Sequence, residues 1–117
     1  MQDLSAAYLI LSADPLVALD LAQTVREFDA GARILVASNT AEAAALVVAE
    51  ARIAVALLGL SPEAAAAIGA EVCARGGRPV LFGADADLAG ASWPGEVLAV
   101  PFTSECVIAL LVRLSAG

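Results

Sequence analysis

Four polar side chains follow apolar segments of the chain and are the first candidates for chemistry. Ser12 and Asp14 come after the first such segment, and Asp85 and Asp87 after the fourth. A serine can act as a nucleophile, and carboxylates can bind Mg²⁺. Because the chain has no histidine to activate Ser12 and only one carboxylate beside it, we expect Asp14 to cap a helix instead. We interpret Asp85 and Asp87 as solvated loop residues rather than a metal site.

The absence of lysine and histidine excludes several kinds of site. All 6 cationic residues are arginines. Schiff-base chemistry, histidine general-base catalysis, phosphohistidine relays and histidine ligation of metals therefore lack the side chain they need. The two cysteines, Cys73 and Cys106, are far apart and form no CxxC pair, which predicts reduced, packed thiols and no zinc site. The sequence thus predicts a protein that is not an enzyme and has no metal and no cofactor.

The composition predicts one soluble domain, residues 1–117, that binds neither nucleic acid nor membrane. A chain of 117 residues is long enough to bury a core. Its net charge of -7 opposes binding to phosphate backbones. The longest uncharged stretches, such as 4–13 and 53–62, are far shorter than the ~20 residues of a membrane-spanning helix. No basic residue precedes the first apolar segment, which argues against a signal peptide and favours a cytoplasmic protein.

Short apolar runs alternate with helical patterns along the chain. The runs predict strands over Ala7–Leu11, Arg33–Ala37, Ile53–Leu58, Pro79–Phe82 and Val97–Val100. Capping residues predict that a helix follows each strand except the fourth, with helix starts at Asp14, Asn39, Ser61 and Thr103. Gly76–Gly77 is predicted to end the third helix. Buried strands alternating with helices predict an α/β fold with a doubly wound five-stranded parallel sheet, whose working crevice lies at the carboxyl ends of the strands.

In their order and spacing these segments resemble the receiver domain of bacterial response regulators. The likeness extends over nearly the whole chain and is carried by YLILSADPLVALDLAQTV, VALLGL, RPVLFGAD and VLAVPFTSE. It implies a flavodoxin-like sheet with the strand order 2-1-3-4-5, a cis peptide bond before Pro101, and a place in two-component signal transduction or a phosphorelay. The segment between the fourth and fifth strands is short and broken by glycine and proline, which predicts a shortened fourth helix.

The same resemblance implies that the phosphorylation site is degenerate. Receiver domains transfer a phosphoryl group from a partner histidine to their own aspartate, with acidic residues for Mg²⁺ and a hydroxyl and a lysine for the phosphoryl oxygens. None of the residues at the matching positions can do this. The acidic pair falls on Ser12 and Ala13, the phosphoacceptor on Gly59, the hydroxyl on Ala84, the lysine on Val100 and the aromatic switch on Leu98. The resemblance is therefore to a pseudo-receiver that phosphate does not switch.

The final helix is more apolar on its outward side than a solvated helix needs to be. Val107, Leu111 and Leu114 are predicted to face the sheet. The outward stripe, with the tryptophan of the segment before the fifth strand, predicts a contact face made of Trp93, Cys106, Ala109, Leu110, Val112 and Arg113. We expect a homodimer through this face, or an adaptor bound to a signalling partner.

Two other functions stay open beside this one. A small-molecule sensor would use the crevice vacated at Gly59, Gly83, Ala84 and Val100, and would need a pocket on the order of 300 Å³. An enzyme on a flavodoxin-like fold is disfavoured, because the chain has no GxGxxG motif, no GxxxxGK[ST] motif and no histidine. The prediction we adopt is a phosphorylation-independent, receiver-like interaction module that acts through protein–protein contacts.

Overall fold

Strands and helices alternate in the computed structural model, which describes residues 7–50, 53–60, 62–82, 96–98 and 103–116. The strands are β1 (Ala7–Leu11), β2 (Arg33–Ala37), β3 (Val55–Leu58), β4 (Arg78–Phe82) and β5 (Glu96–Leu98). The helices are α1 (Pro15–Phe28), α2 (Thr40–Ala49), α3 (Pro62–Ala74) and α4 (Ser104–Ala116). The predicted elements are confirmed, with starts displaced by a residue or two at β3, β4 and β5. The predicted shortened helix, Trp93 and the Val100–Pro101 bond lie outside the described residues.

The five strands form one parallel sheet in the order β2-β1-β3-β4-β5. This confirms the doubly wound α/β fold and the predicted strand order. In the sheet, Leu11 is level with Ala37 of β2 and with Leu58 of β3. The carboxyl ends of β1, β2 and β3 therefore meet at one edge of the sheet, where a fold of this kind keeps its working crevice.

Each face of the sheet has its own hydrophobic core. Leu9 and Leu58 pack into a cluster with α2 and α3 on one face. Ile10, Leu57 and Phe82 pack into a second cluster with α1 and α4 on the other. Neighbouring residues of a strand belong to different clusters because their side chains point to opposite faces. β1 and β3 are buried along their whole length, as expected of strands covered on both sides.

The edge strand β2 departs from the expectation of five buried strands. Val36 is 52% exposed, and within β2 only Ala37 is fully buried. An edge strand has a neighbour on one side only, so its side chains are covered less well. Arg33, the first residue of β2, forms a bidentate pair with Glu50 in which both N–O distances are 2.7 Å, and this places charge at the open edge.

Helix α1 contacts α4 through a polar side chain. Leu21 and Val25 of α1 are buried against the sheet. Thr24 lies beside them, only 3% exposed, and its hydroxyl donates to the Asp20 carbonyl at 3.0 Å. The same hydroxyl lies 3.3 Å from the Ser104 hydroxyl at the start of α4. A buried threonine thus has partners on both helices, as buried polar groups require.

Helix α3 ends as predicted at a glycine pair. The Gly76 N–H donates to the Cys73 carbonyl at 3.0 Å, and the Gly77 N–H to the Val72 carbonyl at 2.9 Å. This is the Schellman arrangement, which needs a left-handed residue after the helix. Gly76 provides it with a φ of 84°. Gly77 is required for another reason, because a Cβ there would run into the backbone oxygen of Ile53.

Six large hydrophobic side chains are exposed among the described residues: Leu16, Leu19, Val36, Val48, Val97 and Val112. Isolated exposed hydrophobics are normal in folded proteins, and only a contiguous group marks an interface. Val112 belongs to α4, whereas Val48 belongs to α2 on the opposite side of the sheet. None of the helices in the described ranges is long and apolar enough to cross a membrane.

Candidate functional site

The ends of β1 and β3 bring Ser12 and Gly59 to the same edge of the sheet. The Ser12 N–H donates to the Ala37 carbonyl at 3.1 Å, and the Gly59 N–H donates to the Leu11 carbonyl at 2.7 Å. These bonds continue the strand ladders by one residue, so both positions are held by backbone rather than by a loose loop. Ala13 follows Ser12 and is exposed. Of the five positions predicted to form the degenerate site, these three are placed, while Ala84 and Val100 lie outside the described residues.

The polar groups at the end of β1 serve the start of α1. The Ser12 hydroxyl donates to the Asp14 carbonyl at 3.2 Å and accepts from the Asp14 N–H at 3.1 Å. The Asp14 carboxylate accepts from the Leu16 N–H at 2.9 Å, which satisfies one of the free N–H groups of the first turn. The predicted capping role of Asp14 is confirmed. Both polar side chains here are therefore engaged in ending the strand and beginning the helix.

The place that a side chain at Gly59 would take is occupied by an aromatic ring. A Cβ atom built on Gly59 would lie 2.7 Å from Cζ of Phe82 and 3.0 Å from its Cε1. The Leu11 carbonyl oxygen would also be 3.0 Å away. Phe82 is only 4% exposed, so its ring is enclosed by the core. At position 59 the crevice therefore contains a packed ring rather than an empty space.

Phe82 is the residue at this edge of the sheet that the sequence pattern did not point to. Leu58 is level with Leu81 of the neighbouring strand, so Gly59 comes directly beside Phe82. The available signal was a glycine at the end of a buried strand, which often marks the close approach of another group. The strand order places β4 beside β3, and β4 ends at the aromatic residue Phe82. Together, these two signals could have identified the contact.

The described residues hold no cluster of three or more histidine, cysteine, aspartate or glutamate side chains with the geometry of a metal site. Tyr8, whose pKa is shifted, lies near the start of β1, at the opposite end of the strand from Ser12. Burial, with a smaller contribution from the negative charge of Asp29, raises the pKa of Tyr8. Such a shift disfavours the phenolate and suits a core residue rather than an acid–base catalyst.

The outward face of α4 differs from the prediction at one residue. Cys106, Ala109, Val112 and Arg113 are exposed as expected, but Leu110 is only 5% exposed and packs into the core. The prediction that Leu110 faces outward is wrong. At about 100° per residue, position 110 is only about 40° from position 114, so it falls inside the buried arc of the helix. We call the four exposed residues Cys106, Ala109, Val112 and Arg113 the outer face of α4.

The first turn of α4 gives one cysteine a distinct environment. Both cysteines are free and exposed, which corrects the prediction that they are packed. The Cys106 N–H donates to the Thr103 hydroxyl at 3.2 Å, which makes Thr103 a helix cap as predicted. The Thr103 hydroxyl in turn lies 3.3 Å from Sγ of Cys106 as a donor. This hydrogen bond, with the backbone contribution of Thr103, lowers the pKa of the Cys106 thiol.

Comparison with solved structures identifies the fold. A response regulator from Thermotoga maritima superposes with a TM-score of 0.78 at 13% identity, over 97% of this chain and 100% of that chain. A response regulator receiver protein from Sinorhizobium medicae gives 0.77 at 20% identity, over 97% and 96%. A receiver domain protein from Clostridium thermocellum gives 0.75 at 17% identity, over 93% of each chain. The chain has a receiver-like fold.

The receiver-like fold is shared at low sequence identity. No protein-family model matches the chain, and no curated protein matches it. The likeness in three dimensions extends over nearly the whole chain, and Ser12 and Gly59 lie at the carboxyl ends of two neighbouring strands of the shared sheet.

Proposed function

We propose that this protein is a cytoplasmic, phosphorylation-independent receiver-like signalling module that acts through protein–protein contacts and has no catalytic activity. One observation carries the proposal, namely that the Phe82 ring occupies the place of a side chain at Gly59. Phosphoryl transfer to a receiver needs a carboxylate at this position, with further charged groups around it. The neighbouring Ser12 and Ala13 supply no carboxylate. The solved structures with the same fold include response regulators, which supports a role in signalling.

The proposed contact surface is the outer face of α4. Val112 is 51% exposed, and the exposed Ala109 and Cys106 extend the apolar surface along the helix. Arg113 is exposed at the end of the same stripe, and arginine is one of the side chains that often anchor interfaces. The burial of Leu110 makes this surface smaller than the sequence suggested. We propose that a second copy of the chain, related by a two-fold axis, covers it, because such contacts use one surface twice.

The alternative of a small-molecule sensor has less support from the described residues. It requires an open cavity where receivers keep their acceptor aspartate, and ligand pockets are usually on the order of 300 Å³ or more. The Phe82 ring already fills the space beside Gly59. A contact module needs no such cavity, and it accounts for both the filled edge and the exposed residues of α4.

The oligomeric state of a Val112→Glu variant tests the proposed surface. In a dimer through α4, this substitution places an unpaired charge in a dehydrated contact, which is costly. We expect the dissociation constant of the dimer to be at least tenfold higher than that of the wild type, a change that corresponds to about 1.4 kcal/mol of binding free energy. Light scattering and sedimentation over a range of concentrations measure it.

Val48→Glu is the matched control for this experiment. Val48 is also an exposed helical valine, 69% exposed, but it lies on α2 at the other face of the sheet. We expect this variant to remain as dimeric as the wild type. A wild-type protein that is monomeric at high micromolar concentration would contradict the homodimer, and equal effects of the two variants would contradict the choice of surface.

A further inference from the structure

The ring of Phe82 leaves no room for a side chain at the neighbouring Gly59. The two nearest ring atoms, Cζ and Cε1, would stand 2.7 and 3.0 Å from a Cβ on Gly59. A separation below 3.0 Å is one that real Cβ atoms essentially never show. The only positive φ recorded for a glycine among the described residues is that of Gly76. The requirement for glycine at position 59 is therefore one of space and not of backbone conformation.

The Phe82 ring has little freedom to move away from Gly59. It is 4% exposed and belongs to the cluster that α1 and α4 form with the sheet. Interiors of this kind are close-packed, and a displaced ring must displace its neighbours. The third group near a Cβ at position 59 is the Leu11 carbonyl oxygen, which is fixed by its bond from the Gly59 N–H. Any side chain at position 59 would thus be confined between the Leu11 carbonyl and the packed Phe82 ring.

We propose that Phe82 is a fixed wedge that replaces the side chain of the acceptor position and holds the α1–α4 side of the domain in one packing state. The residues that share its cluster include Leu98 of β5 and the buried residues Val107, Leu110 and Leu111 of α4. A change at position 59 is transmitted through the ring to α4. The regulatory part of this inference rests on the proposed function, since it takes the outer face of α4 as the contact surface. Because the wedge holds one packing state, the outer face of α4 stays in the same exposed arrangement.

A double-mutant cycle on Gly59→Ala and Phe82→Leu tests the wedge. Leucine lacks the two ring atoms that lie nearest to position 59, so it removes the obstruction while keeping an apolar side chain. We expect Gly59→Ala to lower the denaturation midpoint in the wild-type background. In the Phe82→Leu background the added methyl group fills part of the new space, and we expect the same substitution to be neutral or stabilising. The two effects are then non-additive, as expected for residues in contact.

Gly31→Ala is the matched control for the loss of a glycine. A Cβ at Gly31 would meet only Asp29 Oδ1, at 3.8 Å, which is an ordinary contact. We expect this substitution to leave the midpoint unchanged or slightly raised, and to be additive with Phe82→Leu. Additive behaviour of Gly59→Ala with Phe82→Leu would overturn the wedge.

Two spectroscopic measurements separate the wedge from a merely structural glycine. We expect Gly59→Ala to shift the backbone amide resonances of α4, and Phe82→Leu in the same chain to return them toward their original positions. Unchanged α4 resonances in Gly59→Ala would overturn the link to the helix. If Gly59→Ala does not fold, the wild type itself is informative. Slow flipping of the Phe82 ring, seen as separate signals for its two edges, supports the wedge, and rapid flipping at low temperature overturns it.

These measurements are made in the Val112→Glu background as well as in the wild type. The wedge predicts the same non-additivity of Gly59→Ala and Phe82→Leu in both backgrounds, because both residues lie within one chain. If the wedge fails while Val112→Glu still dissociates the dimer, the proposed contact surface on α4 stands without it. If the wedge is confirmed but the chain does not associate, the proposed contact surface is wrong and the inference about Phe82 stands.

Discussion

At the scale of single residues, the most distinct chemical environment on the outer face of α4 is that of Cys106. The Thr103 hydroxyl donates to Sγ at 3.3 Å and so stabilises the thiolate more than the thiol. This hydrogen bond is the largest cause of the lowered pKa of Cys106, ahead of the backbone contribution, while the charge of Glu105 opposes it. The thiolate is the reactive form of cysteine. The exposed thiol is thus expected to react at lower pH than an ordinary one.

The Thr103→Val substitution tests this hydrogen bond. In a Cys73→Ser background, where Cys106 is the remaining thiol, we expect the pH dependence of alkylation by iodoacetamide to move to higher pH. The physical reason is the loss of the hydroxyl donor, which is the largest cause of the shift. Thr103→Ser keeps a hydroxyl at the same place, and its profile should follow that of the wild type. An unchanged profile in Thr103→Val would show that the hydroxyl does not set the acidity of Cys106.

At the scale of elements, polar side chains are placed at helix starts. Asp14 and Asn39 cap α1 and α2, and Thr103 does the same for α4. The start of α2 is reinforced by Glu42, whose carboxylate accepts from the Ser38 N–H at 2.8 Å and from the Ser38 hydroxyl at 2.9 Å. A standard capping box would have Glu42 reach the cap residue Asn39. Here it reaches one residue further back, to Ser38, so the box is present in a shifted form.

The pH dependence of stability reports on this helix start. The hydrogen bonds from the backbone and then the hydroxyl of Ser38 lower the pKa of Glu42 from its ordinary value of 4.5. A carboxyl whose pKa is lowered by folding stabilises the protein above its unfolded pKa, and this contribution is lost as pH falls through the folded pKa. We expect Glu42→Gln to be less stable than the wild type at neutral pH, with the difference shrinking below 4.5. Urea denaturation at a series of pH values measures it.

Ser38→Ala serves as the companion variant in that series. It removes the hydroxyl donor and keeps the backbone donor, which is the larger cause of the lowered pKa of Glu42. We expect its stability curve to lie between those of the wild type and Glu42→Gln. A constant difference between wild type and Glu42→Gln at every pH would mean that the carboxylate contributes through packing and not through its charge.

At the scale of the whole molecule, the described elements follow from the sequence, and the long-range contacts do not. Apolar runs and caps are local patterns, so they located every described strand and helix, and the resemblance added the strand order. The burial of Leu110 depends on how wide an arc of α4 the sheet covers, which local pattern does not fix. The ring over Gly59 depends on two residues that are far apart in sequence and meet only through the register of β3 and β4.

The whole domain is expected to be inert toward phosphoryl donors. We expect incubation with acetyl phosphate and Mg²⁺ to leave the mass of the intact protein unchanged, because the described edge offers Ser12, Ala13 and Gly59 and no acceptor carboxylate. A response regulator receiver domain with an acceptor aspartate, treated in the same way, is the positive control. Intact-mass measurement under conditions that preserve acyl phosphates provides the readout. A stable gain of one phosphoryl group would contradict the proposed function.

The packing of Phe82 against Gly59 also has a consequence for any substitution that adds a side chain at position 59. An aspartate there would place its Cβ 2.7 Å from the ring, so it would meet a steric penalty before it could accept a phosphoryl group. A smaller residue at position 82 would have to accompany it, and on its own that change leaves a void in the core. A carboxylate at position 59 therefore requires both residues to change together.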